Sequence, residues 1–490
     1  MENHCRMAGQ SLRDRTIKGV GWSFAGNAIS YGITFIVGIV LARLLTPDEY
    51  GLIGIVTVFI TVFNALVDSG FSSALIRKND AAEEDYSTAF FTNLAFSIVL
   101  YFVLFLCAPI ISSFFDRPEL LTMIRVMGVG LIINAFSSIQ YTVLSKRLEF
   151  DKKSKAAIVA AFISGIVGIW MAVAGYGVWA LVAQQLSKEL VYTILLWVIV
   201  KWSPSWKWSQ QSFSYLWGFG WKMSASAVID RVAAQVGSFV IGKCYSPASL
   251  GQYSRSEQFA SLFSSGLTSV VQQVSYPALS EIQDDKTRLM AAYRKVIKTT
   301  MFVTAIGMFA LGAVAEPLLF CLIGPQWHDA AVYLPLICAH MSLYPLHAIN
   351  LNMLQVQGRS DLFLVLEVIK KILLIPVLLV GIFVGIVPML FVGIFAGILC
   401  FFLNAHWSGK LIGYSAWMQI KDVAPSYGIA ALVALSIYFL KFLPLSFWIV
   451  LPIQIIVGLS VFFCICTAFK MEEYSEIKML ALAYIKPKTN

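Results

Sequence analysis

The chain has 490 residues, of which 58% are hydrophobic and 13% are charged, with a net charge of +9 at pH 7. A soluble protein of this length carries roughly twice that charged fraction, so the composition excludes a soluble globular protein. The excess of basic residues does not indicate nucleic-acid binding, because these residues are concentrated in alternate turns between long apolar segments.

The apolar segments predict an all-α polytopic membrane protein with about 14 transmembrane helices, since a bilayer core needs roughly 20 apolar residues per helix. Only Gly385 to Pro388 separates spans 11 and 12. The predicted spans cover residues 19–42, 51–76, 86–114, 118–145, 156–175, 177–200, 213–242, 249–279, 297–322, 329–356, 361–385, 387–407, 424–442 and 447–469.

The positions of Lys and Arg predict the topology of the chain in the membrane. With the N-terminus inside, 25 of the 36 basic residues fall at the termini and in cytoplasmic turns, and four fall on the opposite side. This bias predicts that both termini are cytoplasmic. The basic residues Arg13, Arg15 and Lys18 precede a full-length span, so no cleavable signal sequence is expected. We predict a multi-pass protein of a bacterial inner membrane, without structural disulfides.

Two motifs recur about 200 residues apart. The Gly-Val-Gly-Trp of residues 19–22 returns as Gly-Phe-Gly-Trp at residues 218–221, and the turn of residues 46–51 returns at residues 246–251 with identical Pro and Gly positions. Six spans separate the copies, so both copies have the same orientation in the membrane. This predicts two parallel-repeat six-helix lobes around a central cavity, followed by a C-terminal helix hairpin.

The repeat predicts a domain organisation. We assign residues 1–200 to an N-lobe with spans 1–6, 201–212 to a cytoplasmic interfacial linker, 213–410 to a C-lobe with spans 7–12, and 411–490 to spans 13–14 and a cytoplasmic tail. The linker is rich in Trp, which favours an anchor at the headgroups, although access of a lipid substrate is an alternative.

Local signals predict three further features. Thr46 and Ser246 are candidate N-caps of the spans that follow them, and the turn is either a tight extracytoplasmic connection or a sign of duplication. Pro335 and Pro345 predict a bend in span 10. The hydrophilic stretch 280–298 predicts a cytoplasmic surface helix that leads into span 9.

Ionisable residues at bilayer depth are costly and indicate function. Glu367 and Lys371 have the i,i+4 spacing of a local ion pair, while Lys188 and Glu189 favour structural pairing with another helix. His340 and His347 lie seven residues apart without an evident third ligand, which argues against a metal site. The candidates are Asp68, Arg125, Lys188, Glu189, Asp230, Arg231, Arg255, Glu257, Glu367, Lys370 and Lys371.

Missing motifs exclude several activities. The sequence has no G-x-x-x-x-G-K-[ST] motif, so this chain is not expected to hydrolyse ATP, and it has no H-E-x-x-H zinc motif. No extramembrane segment is large enough for a nucleotide-sugar site. We therefore predict a protein that is not an enzyme and whose transport work comes from an ion gradient, the membrane potential or substrate flux.

The sequence resembles a known transporter family at its N-terminal motifs. The Gly-Val-Gly-Trp of span 1, residues 40–51, the Asp-Ser-Gly-Phe of residues 68–71 and the Ser-Tyr-Pro-Ala-Leu-Ser of residues 275–280 are similar to Wzx-type polysaccharide flippases. The resembling part covers roughly residues 12–415 and points to the colanic-acid or lipopolysaccharide exporter subgroup of the MOP superfamily. Span 1 lacks the arginines of the lipid II flippase, so that protein's substrate contacts do not transfer to this lobe.

This resemblance implies a function and a set of site residues. The expected substrate is an undecaprenyl-pyrophosphate-linked oligosaccharide, moved from the cytoplasmic to the periplasmic leaflet by alternating access, with coupling to Na⁺ or H⁺ and no other cofactor. Expected partners are this glycan, membrane lipids and the polysaccharide polymerase machinery. The predicted roles are diphosphate binding for Arg231, Arg255 and Lys222, glycan binding for Asn27, Tyr31, Asn64, Gln272 and Gln273, and ion coupling for Asp230 and then Glu367.

Two alternatives have distinct requirements. A MATE-type exporter of organic cations shares the expected fold but needs an acidic cavity, whereas buried Arg and Lys here match or outnumber the acids. A membrane glycan polymerase or ligase needs catalytic residues in a large periplasmic loop, and no such loop is predicted.

Overall fold

The computed structural model describes the backbone of residues 12–68, 70–78 and 80–485. The side chains of residues 12–25, 27, 68, 360 and 480–485 lie outside this description. Within the described residues the chain forms eighteen α-helices and no β-strand. The helices are α1 Leu12–Leu44, α2 Pro47–Asp68, α3 Phe71–Arg77, α4 Glu83–Phe114, α5 Glu119–Lys146, α6 Phe150–Val173, α7 Trp179–Val200, α8 Gln210–Cys244, α9 Pro247–Glu281, α10 Lys286–Ala313, α11 Ala315–Ile323, α12 His328–Ser342, α13 Tyr344–Val356, α14 Ser360–Phe383, α15 Ile386–Ile412, α16 Ala416–Tyr438, α17 Phe447–Ala468 and α18 Glu472–Ile485.

The predicted all-α membrane architecture is confirmed. Each of the fourteen predicted spans coincides with one helix or with two consecutive helices. Among the described residues, ten helical segments are long and apolar enough to cross a membrane. The segments matching spans 1, 6, 8 and 11 are not among these ten, so fourteen crossings stay a prediction.

The chain divides into two compact units, Met1–Gly251 and Gln252–Asn490. The division lies one helix beyond the predicted lobe boundary, because α8 packs against α2, α3 and α4. Aromatic contacts form this packing, with Phe239 of α8 stacked on Phe114 at 5.8 Å and Trp217 of α8 6.2 Å from Phe71. The predicted assignment of residues to two six-helix lobes stays a prediction.

The first unit has an apolar core at one end of its helices. Leu75, Phe90, Ile139 and Leu196 are buried together from α3, α4, α5 and α7. The Trp-rich linker is fixed to the start of α4, since the Ser205 amide donates to the Ser87 hydroxyl at 3.0 Å. The segment before α8 therefore has a defined path along α4.

The second unit combines an apolar core with a buried polar network. Leu289, Tyr293, Met353 and Phe401 are among the residues that pack together from α10, α13 and α15. Beside them, α13, α15 and α16 are joined by hydrogen bonds among Asn350, Ser408 and Gln419. The predicted hydrophilic helix before span 9 is confirmed as the first turns of α10, a single helix from Lys286 to Ala313.

The repeated turn has a structural role in the first unit. Both predicted caps are confirmed, because the Glu49 amide donates to Thr46 Oγ1 at 3.4 Å and the Ser249 amide donates to Ser246 Oγ at 3.1 Å. The two copies of the turn also contact each other reciprocally. A Cβ on Gly51 would overlap the Pro247 backbone, and a Cβ on Gly251 would overlap the Pro47 carbonyl oxygen.

Helix boundaries follow the predicted Pro and Gly signals. Gly385 separates α14 from α15 with φ +151°, a conformation that residues with a Cβ rarely adopt. Span 10 breaks at Leu343, two residues before Pro345, because proline has no amide hydrogen and its ring clashes with the carbonyl group four residues earlier. The predicted separation of spans 11 and 12 is confirmed, and span 10 is interrupted before Pro345, whereas α12 continues through Pro335.

Candidate functional site

The stretch of α8 from residue 221 to residue 232 has no buried residue and holds three of the predicted site residues. Lys222, Asp230 and Arg231 are all exposed, although α8 is long and apolar enough to cross a membrane. Among the described residues, nothing packs against Gly218 or Gly237 of the same helix, so open space lies beside α8 at both positions. Charged groups in a spanning helix are costly against acyl chains, so the charged groups of this stretch require water or a polar ligand.

Two basic side chains of this stretch of α8 can bind an anion. Among the described residues, Arg231 and Lys222 form no ion pair. A guanidinium group offers up to five donors in a planar fork, which matches the oxygens of a phosphate. The neighbouring Asp230 adds an exposed carboxylate, about 100° around the helix from Arg231. This stretch of α8 can therefore bind an anionic group and also presents an acidic one.

The predicted glycan-binding residues of spans 1 and 2 have different surroundings. Tyr31 is 62% exposed, with open space beside the adjacent Gly32, so its hydroxyl is accessible. Asn64 is half-buried, and its Oδ1 accepts a hydrogen bond from Asn134 Nδ2 at 3.1 Å. The side chain of Asn27 lies outside the described residues. Glycan binding by these residues stays a prediction, and Asn64 already has an interhelical role.

The predicted residues of α9 are mostly engaged within the second unit. Arg255 is 7% exposed, lies 5.8 Å from the centre of the Trp327 ring and donates from Nη1 to Gln258 Oε1. Gln272 is half-buried and donates to Asn352 Oδ1 at 3.3 Å, whereas Gln273 is exposed. Their roles in substrate binding stay predictions. The Trp327 contact was not found from the sequence, because 72 residues separate the two side chains.

The Glu367 carboxylate forms an ion pair with Lys370, at i,i+3. The i,i+4 pair with Lys371 that the spacing suggests stays a prediction. Either spacing places two side chains on one face of a helix, so the sequence alone could not decide between them. A cation thus neutralises the residue that was the second choice for ion coupling, and its coupling role stays a prediction.

A cavity that sequence reasoning missed lies within the second unit. It has a volume of about 190 Å³ and is lined by Tyr253 and Glu257 of α9, His340 of α12, and Tyr344 and His347 of α13. The two histidines, seven residues apart in the chain, line the same cavity. The contribution of Glu257 could not be found, because it comes from another helix.

The polar contacts of this cavity fix its histidine geometry. His340 Nδ1 lies 3.0 Å from the Gly393 carbonyl oxygen, and His347 Nδ1 lies 3.4 Å from Asn404 Nδ2. Among the described residues, no group of three or more His, Cys, Asp and Glu side chains could hold a metal ion. The arrangement can exchange protons but does not converge on a metal.

Known proteins place this chain in a family. Residues 40–332 match the family model described as "Polysaccharide biosynthesis protein". The succinoglycan biosynthesis transport protein ExoT of Rhizobium meliloti (strain 1021) is 26% identical over 310 residues, which are 63% of either chain. The lipopolysaccharide biosynthesis protein WzxC of Escherichia coli (strain K12) is 23% identical over 382 residues, which are 76% of either chain. The alignment therefore spans less than two thirds of the first of these relatives.

Solved structures show the same fold. The lipid II flippase MurJ in an inward closed conformation aligns with a TM-score of 0.74 and 16% identity, over 91% of this chain and 98% of MurJ. An inward-facing multidrug MATE transporter of the MOP superfamily aligns with a TM-score of 0.60 and 17% identity, over 78% of this chain and 94% of its own. The chain has the fold of MOP transporters, and it belongs to the polysaccharide biosynthesis protein family.

Proposed function

We propose that this protein translocates undecaprenyl-pyrophosphate-linked oligosaccharide repeat units across a bacterial inner membrane, for surface polysaccharide biosynthesis. The direction is from the cytoplasmic to the periplasmic leaflet, by alternating access. Family membership, the printed roles of the relatives in polysaccharide biosynthesis and transport, and the fold shared with a lipid II flippase all support this proposal.

The observation that supports the proposal most strongly is the pair of exposed basic residues on α8. Lys222 and Arg231 lie on a helix apolar enough to span the membrane, next to open space and without ion-pair partners among the described residues. A diphosphate headgroup supplies the negative charge that such groups bind, and fork-shaped contacts to Arg are strong in a site with little water. An anionic lipid-linked substrate accounts for these charges.

The same proposal includes coupling, partners and orientation. Cation or proton movement through Asp230 drives transport, with Glu367 as the second candidate, and both termini are cytoplasmic. The polysaccharide polymerase machinery receives the translocated repeat unit. The positive-inside distribution of Lys and Arg supports this orientation.

A MATE-type exporter of organic cations is the second candidate, because a solved MATE transporter shares the fold. The exposed Lys222 and Arg231 of α8 argue against it, since both would repel an organic cation. A glycan polymerase or ligase has less support, because the solved neighbours named above are transporters.

The test is replacement of the cation at residue 231. We expect Arg231→Ala to abolish complementation of a flippase-null strain, because the diphosphate loses its bidentate donor, and we expect Arg231→Lys to restore only part of it. Arg147→Ala is the matched control, since Arg147 is an exposed arginine beyond the cytoplasmic end of α5. Membrane levels of all variants are measured by immunoblot. Normal polysaccharide export by Arg231→Ala would remove this residue from the substrate site.

A further inference from the structure

The cavity of the second unit has room for water and several protonatable groups. Its volume of about 190 Å³ exceeds the roughly 10–15 Å³ that one water molecule requires. Glu257, His340 and Tyr344 keep exposed surface, and His347 is half-buried. Water can therefore reach a carboxylate and two imidazoles in the same cavity.

Glu257 is placed where its charged form is disfavoured. In the predicted span 8, it lies ten residues after Pro247, about 15 Å along α9 at 1.5 Å per residue, a depth near the middle of a bilayer core. Among the described residues, Glu257 forms no ion pair. A charged carboxyl group at this depth is costly without a positive partner, and a protonated histidine in the same cavity supplies one.

The histidine contacts permit proton exchange at both rings. The Gly393 carbonyl oxygen can only accept, so His340 Nδ1 carries a hydrogen and its Nε2 is the basic atom. His347 Nδ1 receives a hydrogen bond from the Asn404 amide, so this atom is an acceptor in the neutral ring. Asn404 Oδ1 is buried and, among the described residues, has no hydrogen-bond partner. Rotation of this amide by 180° would present Oδ1 to a protonated His347, so the site suits both protonation states.

An ion pair of α14 lies near this cavity. Its lysine, Lys370, binds Glu367 and is close enough to His347 for the two charges to interact, as is His340. Cys400 of α15 lies within the electrostatic range of Glu367 and Lys370. The ionisable groups facing the cavity or its continuation are Tyr253, Glu257, His340, Tyr344, His347, Glu367, Lys370 and Cys400.

We propose that Glu257, His340 and His347 form one proton-binding site, with Asn404 as the group that adapts to the protonation state of His347. The inference rests on the proposed function, because it identifies the coupled ion of that transporter as a proton and adds this cavity to Asp230 as a second place where the ion binds. A proton arriving from water binds the carboxylate or an imidazole Nε2 and leaves by the same route, so no oxidant, metal or other co-reactant is needed. Chains of Glu and His residues inside membrane proteins serve such relays.

The test is a histidine titration of the full-length protein by NMR. The chain has five histidines, so ¹³C labels at the ring carbons give few signals, and His340→Gln and His347→Gln assign them. In Glu257→Gln, we expect the midpoint of His340 or His347 to fall by about one pH unit, because the imidazolium loses a neighbouring carboxylate. Glu316→Gln is the control, since Glu316 forms an ion pair with Lys441 elsewhere in the unit. Unchanged curves for both histidines would overturn the shared site.

Two further titrations complete the test, one with a second variant and one with a different salt. If Glu257→Gln does not yield folded protein, Asn404→Leu replaces it, with a fall in the His347 midpoint expected because the imidazolium loses its acceptor. Replacing KCl with NaCl should leave the curves unchanged, and a Na⁺-specific shift would assign the cavity to Na⁺ and overturn the proton assignment. The titration requires no transport, so a failure of the flippase function in the complementation strain would leave this result standing, and the reverse is also true.

Discussion

Gly51 and Gly251 allow the two copies of the repeated turn to contact each other, because neither residue has a Cβ. Gly51 and Gly251 bring their backbones against Pro247 and Pro47, where a Cβ has no room. The recurrence of both motifs was visible in the sequence, but the contact between them was not, since spacing alone does not give proximity. The Pro and Gly residues that the two copies share therefore serve the packing between the turns as well as the geometry of each turn.

Gly251→Ala tests this close approach. We expect a loss of at least about 1–3 kcal/mol, because the Pro47 carbonyl oxygen belongs to the backbone and cannot rotate away. Gly237→Ala is the matched control, because open space surrounds that position and alanine favours helix by roughly 0.5–1 kcal/mol. Thermal unfolding in detergent, followed by tryptophan fluorescence, measures both. Equal melting temperatures for the two variants would contradict the contact.

Two predicted site arginines differ in how exposed they are. Arg231 was identified from its type and depth, and the structure leaves it exposed. Arg255 is also an arginine within a predicted span, yet it is buried beside Trp327. Composition and spacing identify charges that a membrane makes costly, but only the packing decides which of them face open space.

Helices of the second unit are joined by a polar network that the sequence did not reveal. Asn350 and Gln419 exchange two hydrogen bonds of 3.0 and 3.1 Å, and Ser408 donates to Asn350 Oδ1 at 2.5 Å. Asn350, Ser408 and Gln419 are fully buried. Helix ends were predictable because Pro and Gly act locally, whereas this network depends on which faces of α13, α15 and α16 meet.

A double-mutant cycle tests the network. Asn350→Leu and Gln419→Leu should each cost about 1–3 kcal/mol for every buried polar partner left unsatisfied. The double variant should cost less than the sum, because the second substitution removes a group that the first left unpaired. Melting temperatures of the four proteins give the coupling. Additive effects would show that the two amides do not depend on each other.

At the scale of the whole molecule, the sequence predicted the helical fold but did not predict where the chain divides into two compact units. Fourteen apolar segments correspond to helices, because length and hydropathy are properties of each segment alone. The division after Gly251 depends on the contacts of α8 with α2, α3 and α4, which are tertiary. The two-lobe assignment based on the repeat is therefore a statement about duplication rather than about contacts.

The orientation of the chain can be tested with fusions. A fluorescent protein after residue 485 should be fluorescent, because the positive-inside distribution predicts a cytoplasmic C-terminus. Alkaline phosphatase inserted after Tyr176, in the turn between α6 and α7, should be active, since this turn is predicted to be periplasmic. Insertion after Arg147, in the turn between α5 and α6, is the control that should be inactive. The opposite pattern of activities would invert the topology.

The leaflet that holds the lipid-linked oligosaccharide tests the transport function most directly. Spheroplasts depleted of the protein are treated with membrane-impermeant periodate, and the lipid-linked oligosaccharide is then analysed by mass spectrometry. We predict that depletion protects this lipid from oxidation, and that the wild-type protein, but not Arg231→Ala, restores its exposure at the outer surface. Equal oxidation with and without the protein would contradict translocation by this chain.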